Sequence, residues 1–129
     1  MDRSDFVLIV DDMFLARANV KKALASIGFE RVIESSNGKE ALSVLRDEKV
    51  KMSFMILDWM MPEMTGIELL RAMRQEGLRQ ELPVVMLTAE AEVESVSAAE
   101  EFSVKSYIVK PVAQAVLAQR LLRIIGQQE

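Results

Sequence analysis

Short apolar runs alternate along this chain with stretches whose apolar residues recur at helical spacing, and this alternation constrains the fold more than any other feature. Apolar runs of this length are typical of strands that are buried on both faces of a sheet. Strands that are joined by helices run parallel, with right-handed crossovers. The pattern therefore predicts an α/β fold with a doubly wound parallel sheet. The five predicted strands are 6–10, 31–35, 52–57, 83–87 and 106–109.

Five helices are expected to connect and follow these strands. The second helix is expected to be capped by Ser36 or Asn37, and the third to end near Gly77. A fourth helix is predicted over 92–101, in an acidic stretch without a glycine stop. A closing helix is predicted over about 113–126, where apolar residues recur every three or four positions.

The composition limits the class of protein. With 129 residues, of which 50% are apolar, the chain is expected to form one domain over 1–129. It contains no Cys, which excludes disulfides and thiolate metal sites, and no His, so it cannot itself carry a phosphohistidine. Its net charge of −4 argues against nucleic acid as a partner. Its apolar runs are too short to cross a bilayer and its acidic first residues are unlike a signal peptide, so we expect a cytoplasmic protein without membrane insertion.

Polar side chains follow four of the predicted strands at the point where each strand ends. They are Asp11 and Asp12 after the first strand, Asp58 after the third, Thr88 after the fourth and Lys110 after the fifth. Each of them taken alone has an ordinary explanation as a helix cap or a solvated turn. Because ligands bind beyond the carboxyl ends of the strands in open parallel sheets, however, these residues are expected to share one site.

This set of residues indicates phosphoryl transfer. Three neighbouring carboxylates raise one another's pKa values, and a hard divalent cation with oxygen ligands, typically Mg²⁺, removes that repulsion. Asp58 then stays ionised and can act as a nucleophile. The cation, Lys110 and Thr88 would neutralise the charge of a phosphoryl group in transit. The predicted reaction is in-line transfer onto Asp58, which gives an acyl phosphate.

Four segments, in this order and at this spacing, make the chain resemble the response-regulator receiver domains over essentially its whole length. The segments are VDD (10–12), LDWMMPEMTG (57–66), LTAE (87–90) and SYIVKP (106–111). The resemblance implies a flavodoxin-like (βα)5 fold with five parallel strands in the order 2-1-3-4-5. The segment 28–42 and the pair Asp58–Trp59 are similar to those of stand-alone chemotaxis regulators within that family.

The resemblance also implies a role for each residue around the metal. Asp58 would be the phosphoacceptor and would contact the Mg²⁺ ion. Asp12 would be a direct ligand, and Asp11 would hold a metal-bound water. The third protein ligand would be the backbone carbonyl of Met60, so that its side chain is free for another purpose.

The remaining family roles concern the response to phosphorylation. Lys110 would contact Asp58 beforehand and the phosphoryl group afterwards, and its bond to Pro111 is expected to be cis. Thr88 would hydrogen-bond the phosphoryl group and move towards it. That movement would let the ring of Tyr107, the rotamer switch of the family, turn inward.

Two positions are expected to tune the lifetime of the phosphoryl group, and two differ from the common family pattern. Met60 and Glu90 lie two residues after Asp58 and Thr88 and flank the route of an attacking water. The stretch 102–104 reads FSV where small residues are common, and Val112 stands where Phe commonly follows Lys-Pro. These departures concern the predicted output face and leave the phosphorylation chemistry unchanged.

By resemblance, the chain is a two-component signalling switch that assists its own phosphorylation and dephosphorylation, rather than an enzyme. The phosphodonor would be a histidine kinase or a phosphotransfer protein. Phosphorylation would switch a protein-binding face formed by the fourth helix, fifth strand and fifth helix. A downstream protein, or a second copy in a homodimer, would bind there. We expect an output of the chemotaxis type; a phosphorelay intermediate and a receiver domain excised from a longer regulator are the alternatives.

Other classes of protein fit these residues less well. Phosphohydrolases that use Mg²⁺ and an aspartyl phosphate typically need a second acid two residues after the nucleophile, where this chain has Met60. A flavodoxin would need a phosphate loop rich in Ser, Thr and Gly after the first strand, where this chain reads DDMFLARAN (11–19). Binding modules that act without phosphorylation usually lack part of the acid set.

Overall fold

A sheet of five parallel strands, numbered in chain order and arranged 2-1-3-4-5, forms the centre of the computed structural model, which describes residues 2–89 and 104–128. This order and direction confirm the predicted doubly wound α/β fold. The strands are β1 (Phe6–Val10), β2 (Val32–Ser35), β3 (Met52–Asp58), β4 (Val84–Ala89) and β5 (Val104–Lys110). The helices within the described residues are α1 (Phe14–Ser26), α2 (Gly38–Arg46), α3 (Gly66–Glu76) and the C-terminal helix (Gln114–Gln128). The helix predicted over 92–101 falls outside the described part of the chain.

The two faces of the sheet carry separate apolar layers, because successive side chains of a strand point to opposite faces. Leu8, Met55 and Leu57 pack with α2 and α3 on one face. On the other face, Ile9 and Ile56 belong to the layer that contains α1 and the C-terminal helix. The strands are therefore covered on both sides, and their carboxyl ends open onto a single edge of the sheet.

Several strand ends differ by a residue or two from the sequence prediction. β3 extends through Asp58, because Asp58 pairs with Leu87 of β4. β4 begins after Pro83, which has no N–H to donate, although the Pro83 carbonyl still accepts a hydrogen bond from the N–H of Met55 at 3.0 Å. Cross-strand pairing, which a single run of sequence does not reveal, sets these ends.

Local capping explains where α2 and α3 begin and end. Of the two predicted caps of α2, Asn37 is the one used, and its side chain accepts a hydrogen bond from the N–H of Glu40. Thr65 and Glu68 form a capping box at the start of α3. Gly77 ends α3 as predicted, with a left-handed φ of 68°.

Within 2–89 and 104–128, we find no helix with the length and apolar character that crossing a bilayer requires.

Candidate functional site

Three carboxylates meet at the carboxyl edge of the sheet. Asp58 is the last residue of β3, and Asp11 and Asp12 follow β1, the strand beside it. One carboxylate oxygen from each of the three lies within 4.8 Å of the others. Asp11 and Asp58 are buried and Asp12 is half-buried. The structure thus brings together the three acids that the sequence assigned to one site.

Lys110 extends from the end of β5 into this group of acids. Its Nζ lies 3.0 Å from Oδ2 of Asp11 and 3.0 Å from Oδ1 of Asp58. The contact with Asp58 is the one that the family resemblance implied. The contact with Asp11 was not predicted, and it makes the ammonium a bridge between β1 and β3.

Burial and the neighbouring charged groups both change the pKa of Asp58. Burial raises its pKa, and the carboxylates of Asp11 and Asp12 raise it further, while Lys110 lowers it, so that the pKa rises from 3.8 to about 6. For Lys110, burial lowers the pKa, but the hydrogen bond to Asp11 and the charges of both buried acids outweigh burial and raise it overall. One ammonium therefore offsets only part of the negative charge of three carboxylates.

The donor set suits a hard divalent cation. Carboxylate oxygens that converge at one point, next to a half-buried and hence water-accessible acid, are the ligands that Mg²⁺ prefers. A cation there would remove the repulsion that raises the pKa of Asp58.

Thr88 lies at the same edge, next to Ala89 at the end of β4. It is buried, and its hydroxyl donates a hydrogen bond to the carbonyl of Ala89 at 3.2 Å. In the β4–β5 pairing it stands opposite Val109, one residue before Lys110. The hydroxyl is thus located between the strands that carry Asp58 and Lys110.

Comparisons with known proteins identify the family of this chain and agree with the fold. The sequence model of the family described as the response regulator receiver domain matches residues 7–122 of this chain. The chain belongs to the receiver domain family. It is 39% identical over 118 residues to the chemotaxis protein CheY of Pseudomonas aeruginosa, covering 92% of this chain and 94% of that protein. It is 41% identical over 118 residues to the chemotaxis protein CheY-3 of Vibrio cholerae, covering 92% of this chain and 89% of that protein.

Solved structures show the same likeness. The chemotaxis response regulator CheY4 of Vibrio cholerae superposes with a TM-score of 0.80 at 30% identity, over 93% of this chain and 98% of that one. A CheY-like receiver domain protein from Methanospirillum hungatei gives a TM-score of 0.79 at 30% identity, over 95% of both chains. Receiver domains are signalling switches, and this receiver shares their fold over nearly its whole length.

Further residues of the receiver pattern occupy distinct places in the structure. The Lys110–Pro111 bond is cis, as expected. Tyr107 is half-buried and packs against the apolar layer that contains α2 and α3. Met60, two residues after Asp58, is 53% exposed, whereas the neighbouring Met61 is buried. Glu90 lies outside the described residues, as do 102 and 103.

Two residues contact this site although the sequence analysis assigned no role to either of them. Arg17 of α1 donates a hydrogen bond to the backbone carbonyl of Asp11 at 2.7 Å. Gly66, the first residue of α3, packs so closely on β3 that a Cβ atom would lie 2.8 Å from the carbonyl oxygen of Asp58. A basic residue six positions after Asp11, near the start of α1, was the available signal for the first; the glycine in the TG pair was the signal for the second.

Proposed function

We propose that this receiver domain, taken as a single domain over 1–129, is a cytoplasmic signalling switch that is phosphorylated on Asp58 in a reaction that requires Mg²⁺. The observation that carries the proposal is the contact of one lysine with two acids: Nζ of Lys110 lies 3.0 Å from Asp11 and 3.0 Å from Asp58, within a group of three carboxylates. A carboxylate that could act as a nucleophile, oxygen ligands that could hold a cation and an ammonium group thus lie within one group of contacts.

The reaction forms one bond and breaks one. An oxygen of Asp58 attacks the phosphorus of a phosphohistidine on a histidine kinase or phosphotransfer protein. The phosphorus–nitrogen bond breaks, and its electron pair returns to the imidazole of the donor. Asp12 and Asp58, with the carbonyl of Met60, would hold Mg²⁺, and Asp11 would hold a water on it; when bound, the ion neutralises charge on the phosphoryl oxygens.

Lys110 and Thr88 would then hold the acyl phosphate. Lys110 moves its contact from the carboxylate of Asp58 to the phosphoryl group, and the hydroxyl of Thr88 turns from Ala89 to donate to a phosphoryl oxygen. These contacts exist only in the phosphorylated state, so they can shift the equilibrium between the inactive and the active conformation of the domain. The ring of Tyr107 follows Thr88 inward.

The output is a change on the face that includes β5 and the C-terminal helix. A downstream protein binds there, and two phosphorylated copies can pair through the same face. The names of the curated relatives, which are chemotaxis proteins, favour an output by protein contact of the chemotaxis type. A phosphorelay intermediate, or a receiver within a longer regulator, is the second choice.

A direct test is phosphorylation by a small donor. We expect incubation with acetyl phosphate and Mg²⁺ to add the mass of one phosphoryl group to the intact protein. Asp58→Asn should show no addition, and chelation of Mg²⁺ should abolish it in the wild type. A wild-type mass that does not change would refute the proposal, and an equal addition to Asp58→Asn would place the phosphoryl group elsewhere.

The side chain of Met60 should slow loss of the phosphoryl group. Met60 is exposed, apolar and two residues after Asp58, so its side chain would cover the approach to Asp58 without offering a hydrogen bond to a water molecule. We expect Met60→Asn to dephosphorylate several-fold faster than the wild type once the donor is removed, as followed by intact mass over time. Leu122→Asn, which changes an exposed apolar residue of the C-terminal helix, is the matched control. Equal or slower decay in Met60→Asn would rule out shielding.

A further inference from the structure

Arg17 connects the metal-binding loop to the neighbouring strand. Its Nη1 donates to the backbone carbonyl of Asp11 at 2.7 Å, and its Nε donates to Oε1 of Glu34, in β2, at 3.1 Å. The Arg17 side chain is 14% exposed; its bond to the Asp11 carbonyl is partly buried, whereas its bond to Glu34 lies at the surface. A guanidinium can make both bonds at once because its donors point in fixed, separate directions.

The carbonyl that Arg17 binds belongs to the peptide group between Asp11 and Asp12. The orientation of that group determines the direction in which the chain presents the Asp12 carboxylate. The rest of Asp11 is already held: its N–H donates to the carbonyl of Ser35 at 3.1 Å, and its Oδ1 accepts from the N–H of Met13 at 2.9 Å. The bond from Arg17 to the carbonyl therefore restrains the one peptide group that joins the two acids.

We propose that Arg17 is a positioning residue for the magnesium site, holding the Asp11–Asp12 peptide group in the orientation in which the three carboxylates converge. The inference rests on the proposed function, since it concerns the same cation. Glu34 supports this positioning, because it partly neutralises the charge of the guanidinium and fixes the Arg17 side chain to β2. Arg17 thus acts through hydrogen-bond geometry more than through its charge.

The direction of the effect distinguishes positioning from simple electrostatics. If Arg17 acted mainly as a positive charge near the acids, its removal would tighten Mg²⁺ binding. If it positions Asp12, its removal should weaken binding, on the order of tenfold, as is typical when residues that orient metal ligands are lost. Arg17→Lys keeps the charge but replaces two fixed, separated donors with one ammonium nitrogen on a flexible stem, so it should weaken binding as well.

The test is a Mg²⁺ titration of the full chain by isothermal titration calorimetry, without a phosphodonor. We expect Arg17→Ala and Arg17→Lys to bind Mg²⁺ more weakly than the wild type. Lys21→Ala is the matched control, because Lys21 also approaches Glu34, at 3.9 Å, from an exposed position. It should bind Mg²⁺ as the wild type does. Thermal unfolding of each metal-free variant confirms that it is folded.

A second readout separates positioning from damage to the fold. With acetyl phosphate, Arg17→Ala should need a higher Mg²⁺ concentration for half-maximal phosphorylation, and its rate should approach that of the wild type at saturating Mg²⁺. Unchanged or tighter Mg²⁺ binding by both folded Arg17 variants would overturn the inference and leave the proposed function intact. A wild type that binds no Mg²⁺ would instead refute the proposed function.

Discussion

In the absence of metal at neutral pH, Asp58→Asn should be more stable than the wild type by about 2 to 3 kcal/mol. Folding raises the pKa of Asp58 from 3.8 to about 6, because the carboxylate is buried and lies beside Asp11 and Asp12. Each pKa unit corresponds to about 1.4 kcal/mol, so ionising Asp58 in the folded state costs about 2 to 3 kcal/mol more than in the unfolded chain. An amide of the same shape avoids the cost.

The sign of the pH dependence follows from proton binding. Between pH 3.8 and about 6 the folded protein holds the Asp58 proton more tightly than the unfolded chain, so the contribution of this group to stability falls as pH rises through that window. Below the window both states are protonated, and the wild type and Asp58→Asn should have similar stability. Above the window the difference is fully developed.

Urea unfolding in the presence of a chelator, repeated across this pH range, measures the effect. Glu30→Gln, which removes an exposed acid outside the carboxylate group, is the control and should change stability little at any pH. Added Mg²⁺ should stabilise the wild type more than Asp58→Asn, because binding to the folded state alone raises its stability. A variant that is less stable than the wild type at neutral pH without metal would contradict the prediction.

Gly66→Ala should destabilise the protein by about 1 to 3 kcal/mol, the usual cost of forcing an extra group into a packed site. The new Cβ would lie 2.8 Å from the carbonyl oxygen of Asp58 and 3.3 Å from Cα of Trp59. Both are backbone atoms, so β3 or the start of α3 must move. Because the shift occurs at Asp58 itself, we also expect slower phosphorylation and weaker Mg²⁺ binding.

Gly38→Ala provides a matched control, since Gly38 is also the first residue of a helix. Its Cβ would meet the side chain of Met64 as far back as Cβ, at 3.0 Å, so Met64 must turn and shift, but no atom of β3 or of the carboxylate group is touched. Alanine also favours the helix over glycine. We expect Gly38→Ala to lose stability through the clash with Met64 but to be phosphorylated normally, because the carboxylate group is not displaced. An equal loss of phosphorylation in both variants would show that the contact of Gly66 with Asp58 has no particular effect on the site.

The sequence alone predicted the strands and helices of the described residues and the polar residues that meet at one edge of the sheet. Strand and helix identity follow from the length and period of apolar runs, which depend on nearby residues. The order of polar residues after each strand identified Asp11, Asp12, Asp58, Thr88 and Lys110, because the carboxyl ends of parallel strands share one edge. The receiver resemblance added the strand order and the cis bond before Pro111, and the structure agrees with both.

Only the tertiary structure decided how these residues contact one another. Lys110 bonds to Asp11 as well as to Asp58, although 99 positions separate Lys110 from Asp11. Arg17 binds a backbone carbonyl, and backbone groups carry no signature in the sequence. A glycine is needed at position 66 because the start of α3 lies so close to β3, and that distance depends on how α3 docks on the sheet. Local patterns specify elements, whereas the distances between side chains on different elements are set when the two apolar layers pack against the sheet.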